Sequence, residues 1–282
     1  MDIQLDVLVP TCDRPTALAV TLAGLTAQSV RPLRVVVSDQ SAHPVMEVPE
    51  VRSVIRVLRA RGHAVEAHRH VPRRGMAEQR AFLLSQANAP YCVFLDDDVL
   101  TEPDLFGRML RAIRQHGCGF VGSAVHGLSH ADSVRPQQQH IEFWPGQVEP
   151  ETVVPDSAAW NRHHLHSAAN LFHVQQKLMQ QHSQYTGWHQ DMDRAYRVAW
   201  VGGCVLFDTG KLRESGGFEF WTELPPDHCG EDVLAQLRVM ARYGGCGLFP
   251  SGAYHLELPT TVRAREHDAP RMLWHGKKEQ TG

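Results

Sequence analysis

Tyr91-Cys92-Val93-Phe94-Leu95 runs straight into Asp96-Asp97-Asp98-Val99-Leu100. A parallel strand covered on both faces reads as continuous hydrophobics, so the apolar run predicts a buried central strand. The acids need a different explanation. Packed like charges repel, and at a strand end they are partly desolvated, which calls for a compensating cation. The crevice at the carboxyl ends of the strands is where open α/β sheets bind ligands. Oxygen donors there suit a hard divalent ion, Mg²⁺ or Mn²⁺, shared with a substrate phosphate. A solvated acidic turn capping the next helix accounts for the same residues, with Thr101 as N-cap and Pro103 in the first turn.

Outward from this stretch the pattern alternates. Leu5 to Val9 predicts a first strand ended by Pro10, and a turn from Pro10 to Pro15 follows. Leu18, Leu22 and Leu25 then recur at helical spacing, with Thr16 placed to cap. Leu33 to Val37 predicts a second strand ending in Ser38-Asp39-Gln40-Ser41. Strand, helix and strand make a right-handed βαβ unit that puts Thr11, Arg14 and Asp39 on one edge of the sheet. Asp39 reads as a turn residue or as a ribose or base contact. Val51 to Leu58 fits a helix and Val65 to Val71 a short strand. Pro72-Arg73-Arg74-Gly75 turns into a helix from Met76 to Ala87 that carries Arg80. An arginine pair and Gly75 before a helix N-terminus fit phosphate, and equally fit solvated surface.

Downstream, Leu105, Met109 and Ile113 form a core stripe, and Gly119 to Val125 predicts another strand. From Gly127 to Ala199 prolines, glutamines and histidines accumulate; only Asn170 to Gln181 looks helical. This block reads as an insertion or lid. His163-His164-Leu165-His166 offers metal ligands without a second cluster at suitable spacing, so a polar loop stands beside that reading. Ala199 to Phe207 predicts a strand around Gly202-Gly203, and glycine in a strand marks a bulge or a close backbone approach. Gly230-Glu231-Asp232 opens a helix with Val233, Leu237 and Met240 on one face, its acids favourable to the dipole. Cys246 to Phe249 and Ala253 to Leu258 predict two last strands, with His255 and Glu257 on one face. The tail from Pro259 is charged and expected to be pliable.

Composition narrows the classes. The 282 residues are 43% hydrophobic and 21% charged, ordinary for a globular α/β chain. A net charge of −3 disfavours nucleic acid and anionic membrane as partners. No apolar stretch is long enough to span a bilayer, and the acidic start is unlike a signal peptide. Six cysteines without a Cys-x-x-Cys pair argue against a zinc ribbon and for reduced thiols in a cytoplasm.

Together these pieces resemble the GT-A nucleotide-sugar glycosyltransferases, family 2 above all. The resemblance is carried by Val9-Pro10-Thr11-Cys12-Asp13-Arg14-Pro15, Val37-Ser38-Asp39-Gln40-Ser41, Gly75 with Arg80, Phe94-Leu95-Asp96-Asp97-Asp98, Gly202-Gly203-Cys204-Val205-Leu206-Phe207 and Gly230-Glu231-Asp232, in the family's order. It implies a Rossmann-like, mostly parallel sheet flanked by helices, with residues 1–126 the nucleotide-sugar half, 127–199 an insertion, 200–258 the acceptor half and 259–282 a tail. It implies a metal-dependent, inverting transfer from a nucleoside-diphosphate sugar, uridine the expected base, to a carbohydrate or other hydroxyl. Asp96 and Asp98 match the family's Asp-x-Asp, with Asp98 the metal ligand and Asp96 nearer the ribose. Pro10, Thr11, Arg14 and Asp39 match nucleoside-holding positions, and Arg80 an arginine near the nucleotide. Asp232 matches the catalytic base, and His255 a histidine that ligates the metal or meets the diphosphate. Gly75, Asp97, Gly202, Gly203 and Glu231 complete the expected substrate-binding set. The second-strand loop departs from the family's usual two acids and a glycine, and the 127–199 insertion carries none of the motifs behind the resemblance and is expected to choose the acceptor. A sugar-nucleotide pyrophosphorylase lacks support because its glycine-rich start is absent, and a dinucleotide enzyme because Gly-x-Gly-x-x-Gly is absent. A non-catalytic nucleotide-sugar-binding protein on this fold remains the rival of a different class.

Overall fold

The chain was analysed as a computed structural model that describes residues 3–186, 193–259, 265–274 and 276. Its first half alternates as β1 (Leu5–Thr11), α1 (Pro15–Leu25), β2 (Arg34–Asp39), α2 (Pro49–Ala60), β3 (Ala64–Arg69), α3 (Met76–Gln86) and β4 (Tyr91–Leu95). A short β5 (Val99–Thr101), α4 (Leu105–His116), β6 (Phe120–Gly122) and β7 (Val125–His126) follow. After an irregular stretch come α5 (Asn170–Thr186), β8 (Arg194–Tyr196), β9 (Cys204–Asp208), α6 (Thr209–Glu214), α7 (Glu231–Tyr243), β10 (Gly245–Phe249), β11 (Ala253–His255) and α8 (Ala269–Leu273).

The large sheet has the strand order β3-β2-β1-β4-β9-β6-β10-β8. From β3 to β4 all pairings are parallel; β9 runs antiparallel between β4 and β6, and β8 is an antiparallel edge. Strand alternation sends neighbouring residues to opposite faces. Val7, Val9, Val93 and Leu95 therefore pack with α1, α2 and α4, while Leu8 and Phe94 pack with α3 and α7. Both faces being covered is why β4 carries no polar residue until its end. A second sheet, β5-β11-β7, sits beyond the acids and ties β11 to them through Leu256 N–H donating to Asp98 O (2.8 Å).

Several boundaries differ from the sequence reading, each for a local reason. Thr101 lies in β5 paired with Ala253 and does not cap α4. Gln28 does that work, its Oε1 accepting from Phe106 N–H (3.4 Å) and its Nε2 donating to Glu102 O (2.7 Å). Thr16 does not cap α1, which starts one residue earlier at Pro15. The Gly119–Val125 segment is split, because Ser123 N–H reaches Cys204 O (2.9 Å) before the chain leaves to join β11. Residues 199–203 precede β9 instead of forming it. β11 stops at His255, since Glu257 adopts φ 55°, so His255 and Glu257 do not share a strand face. The irregular 127–199 block contributes Trp160, Leu165, Leu171 and Tyr196 to the same core as α3 and α7. Among the described residues no helix is long and apolar enough to cross a membrane.

Candidate active site

The carboxyl end of β4 opens into a cavity of about 310 Å³, and both acid clusters line it: Asp96, Asp97 and Asp98 from one side, Glu231 and Asp232 from the start of α7. The three consecutive acids face three environments. Asp97 is buried, accepts from Thr11 Oγ1 (2.7 Å) and Arg14 Nη1 (3.2 Å), and its carbonyl accepts from Thr21 Oγ1 (2.8 Å). Burial outweighs these partners and pushes its carboxyl up to about 6. Asp98 is buried too; its Oδ2 pairs with Arg14 Nη1 at 2.8 Å, and its Oδ1 lies 3.7 Å from His255 Nε2. Asp96 is the open one, its side chain 37% exposed and its Oδ1 3.0 Å from Arg80 Nη2.

Arg80 is the hinge between the two clusters. It is buried, donates through Nε to Glu231 Oε1 (2.9 Å), and lies over the Phe94 ring at 5.6 Å. The charges of Asp96, Glu231 and Asp232 outweigh its burial and raise its pKa, so it stays cationic. Asp232 is less favourably placed. Burial foremost, then the neighbouring Glu231, pushes its carboxyl up to about 7 against the pull of Arg80. A carboxyl that exchanges its proton near neutrality is matched to acid–base work. Its position depends on Gly230, which caps α7 at φ 74°; a Cβ there would meet Pro270 Cδ at 2.9 Å.

His255 Nδ1 accepts from Glu257 N–H (2.6 Å), so the ring proton sits on Nε2 and faces Asp98. A metal-bound imidazole donates from its other nitrogen, and here that nitrogen accepts. His255 is thus poised as a hydrogen-bond donor. Asp98 Oδ1 remains an oxygen donor beside the cavity, which suits a hard cation taking its other ligands from a diphosphate and water. Among the described residues no group of three or more His, Cys, Asp or Glu side chains could hold a metal ion.

Pro10, Thr11 and Arg14 line the cavity. Asp39, Gly75, Gly202 and Gly203 are not among the residues that line it. Both oxygens of Asp39 are committed within its own loop, to Ser41 N–H (2.8 Å) and Val45 N–H (2.9 Å), with Arg69 at 3.4 Å. Gly75 allows His228 to close on α3: a Cβ there would lie 2.6 Å from the imidazole, whose Nε2 accepts from Ala77 N–H (3.0 Å). Gly203 has φ 77°, and its carbonyl accepts from Asp96 N–H (2.9 Å), fixing the first acid of the three. Gly202 has open space around it. Of the histidines of 163–166, His163 and His166 are engaged elsewhere. His163 is bonded to Trp160 O (2.7 Å) and stacks on Trp200, while His166 bridges Trp200 O and Tyr196 Oη, each at 2.9 Å. Sequence reasoning missed Gln79 and Arg265 in the cavity wall. Arg265 comes from the segment expected to be a pliable tail, where nothing distinguishes it from other exposed charges.

Comparison places these features among known proteins. The sequence family described as "Glycosyl transferase family 2" matches residues 6–176. No curated protein sequence matches the chain. Among solved structures, Staphylococcus aureus TarS 1-349 in complex with UDP-GlcNAc superposes with TM-score 0.55 at 13% identity, over 92% of this chain and 60% of that one. The mannosyltransferase PcManGT from Pyrobaculum calidifontis, in complex with GDP-Man and Mn²⁺, gives 0.51 at 18% identity, over 88% of this chain and 57% of that one. The chain thus spans little more than half the length of these proteins, and the likeness is one of fold.

Proposed function

Because the chain belongs to glycosyl transferase family 2, we propose that its cavity moves a sugar from a nucleoside-diphosphate sugar to an acceptor hydroxyl, with inversion at the anomeric carbon. The observation that carries the reading is the meeting of both acid clusters around one cavity, with the Asp232 carboxyl raised to about 7. Asp232 takes the proton of the acceptor hydroxyl as its oxygen attacks the anomeric carbon. The bond from that carbon to the diphosphate oxygen breaks on the opposite face, and its electron pair leaves with the diphosphate. Asp96, held by Arg80 and Gly203, faces the nucleotide ribose, and Thr11 with Arg14 floors the site. A Mg²⁺ or Mn²⁺ ion at Asp98, when bound, neutralises charge growing on the leaving diphosphate. His255 Nε2–H adds a hydrogen bond to that diphosphate.

Uridine is the base we propose. TarS, a neighbour of the same fold, is complexed with UDP-GlcNAc, whereas the bonds from Ser41 and Val45 N–H to Asp39 bear equally on uracil and guanine. The test is a thermal-shift series of nucleoside diphosphates and nucleotide sugars with and without Mn²⁺. A ligand present at 100 times its Kd stabilises the folded state by about 2.7 kcal/mol. UDP with Mn²⁺ should raise Tm by several degrees, and Asp98→Ala should remove the contribution of the metal. An identical UDP shift with and without Mn²⁺ in the wild type overturns the metal reading, and no shift with any nucleotide overturns the donor reading.

Arg14 and Arg80 are both occupied by carboxylates of the cavity. Among the described residues Arg265 is therefore the lining guanidinium left to meet a diphosphate. Arg265→Ala should raise the donor KM by about 3- to 10-fold, the worth of one exposed charge-assisted hydrogen bond, with kcat little changed. Steady-state kinetics with varied donor would show it; equal losses in kcat and kcat/KM would place Arg265 elsewhere.

A further inference from the structure

A second cavity of about 470 Å³ adjoins the first, sharing His255 and Leu258 with it and reaching into the 127–199 block, where Arg135, His130, His166 and Glu257 form its wall. That wall is tied together from three parts of the chain. Glu257 accepts from Ser129 N–H (2.9 Å) and Ser129 Oγ (2.5 Å), and Gly127 N–H donates to Ala168 O (3.3 Å). Two of the lining residues that are not glycine, Ala168 at φ 52° and Glu257 at φ 55°, sit in the left-handed region. Such conformations persist where the surroundings over-determine them, and they gather at binding sites.

The two charges of this wall, Arg135 and Glu257, do not pair with one another. His166 is neutral, one ring nitrogen on Trp200 O and the other on Tyr196 Oη, with burial pushing it down to about 4. Glu257 keeps its negative charge, its carboxyl held below the usual range by the hydrogen bonds from Ser129, which turn its oxygens to the 127–129 segment and not to Arg135. Arg135 gives only its Nε to Ser133 Oγ (3.3 Å), and among the described residues no carboxylate is paired with its guanidinium. A half-buried arginine fork facing a cavity is suited to bidentate recognition of phosphate or carboxylate. We propose that this second cavity holds an acceptor bearing an anionic group, phosphate or carboxylate, with Arg135 as its counter-charge. The word acceptor rests on the sugar-transfer reading above; the anion site stands on the second cavity alone.

The test measures binding, not turnover. With the first cavity filled by saturating UDP and Mg²⁺, saturation-transfer NMR would compare methyl glucoside, glucose 6-phosphate and glucuronate on the wild type. One or both anionic sugars should bind about ten-fold tighter than the neutral one, and which of them does so separates phosphate from carboxylate. Arg135→Gln should erase that preference and Arg135→Lys keep part of it, while the Tm shift given by UDP stays the same in both. Equal binding of neutral and anionic sugars, or a preference that survives in Arg135→Gln, overturns the proposal. Absence of any UDP shift overturns the donor reading instead, and the anion preference of Arg135 is then read without UDP.

Discussion

Replacing Asp232 by Asn should cut turnover by about 10²–10⁴-fold, the usual worth of a positioned general base, while UDP binding is retained and the folded state becomes more stable. The last two outcomes follow from where the charge sits. The folded chain holds the Asp232 proton up to about 7, whereas the ordinary value is 3.8. Between those two values the unfolded chain binds fewer protons than the folded one, so this group makes stability fall as pH rises from about 4 to about 7. Above that window its ionised form opposes folding by at most about 4 kcal/mol, less whatever solvent screens at this partly exposed side chain. Asn carries no charge, so Asp232→Asn should raise Tm by a few degrees at pH 8 and by much less at pH 4. The activity of the wild type should rise with pH through about 7 as Asp232 ionises beside Glu231, Arg80 and Asp96, and that limb should vanish from the residual activity of the variant. A variant that keeps wild-type turnover removes Asp232 from the role of base. One that loses turnover together with Tm marks it as a structural residue.

The contrast between the two acid clusters shows how far the residues alone could be read. The end of β4 was legible because an unbroken apolar run followed by three acids has few structural explanations. The start of α7 was legible only through family likeness, since two acids in a first helical turn are also good dipole partners. What the sequence withheld was direction. Three consecutive aspartates look alike in a string, yet Thr11 and Arg14 hold Asp97 inward, Arg14 and His255 flank Asp98, and Asp96 alone faces open space. Asp39 stands where a nucleoside contact is expected, but nearby backbone N–H groups consume both its oxygens. Arg135 and Arg265 gave no periodic signal at all. Their placement depends on long loops, whose course is set by tertiary contacts and not by local pattern.

Arg80 carries the second large expectation, because one buried guanidinium serves the acids of both clusters. Arg80→Met keeps the apolar contact with Phe94 but leaves Glu231, itself 6% exposed, without its cation. Removing one partner of a buried ion pair costs about 3–5 kcal/mol, which for a chain of this size lowers Tm by roughly 10 °C. Arg80 also pulls the Asp232 carboxyl down, so its loss should move the acid limb of the pH profile to higher pH and leave the base protonated at neutrality. A lysine restores charge but not the fork that spans Glu231 and Asp96, so Arg80→Lys should regain more stability than activity. The double variant Arg80→Met with Glu231→Gln separates the two contributions. Taking away the orphaned carboxylate should recover most of the lost Tm and also draw the pH limb back, because Glu231 raises the Asp232 carboxyl more than Arg80 lowers it. A double variant that recovers Tm and the limb but not turnover leaves the hold on Asp96 as what activity needs of Arg80; one that recovers all three means Arg80 serves folding alone.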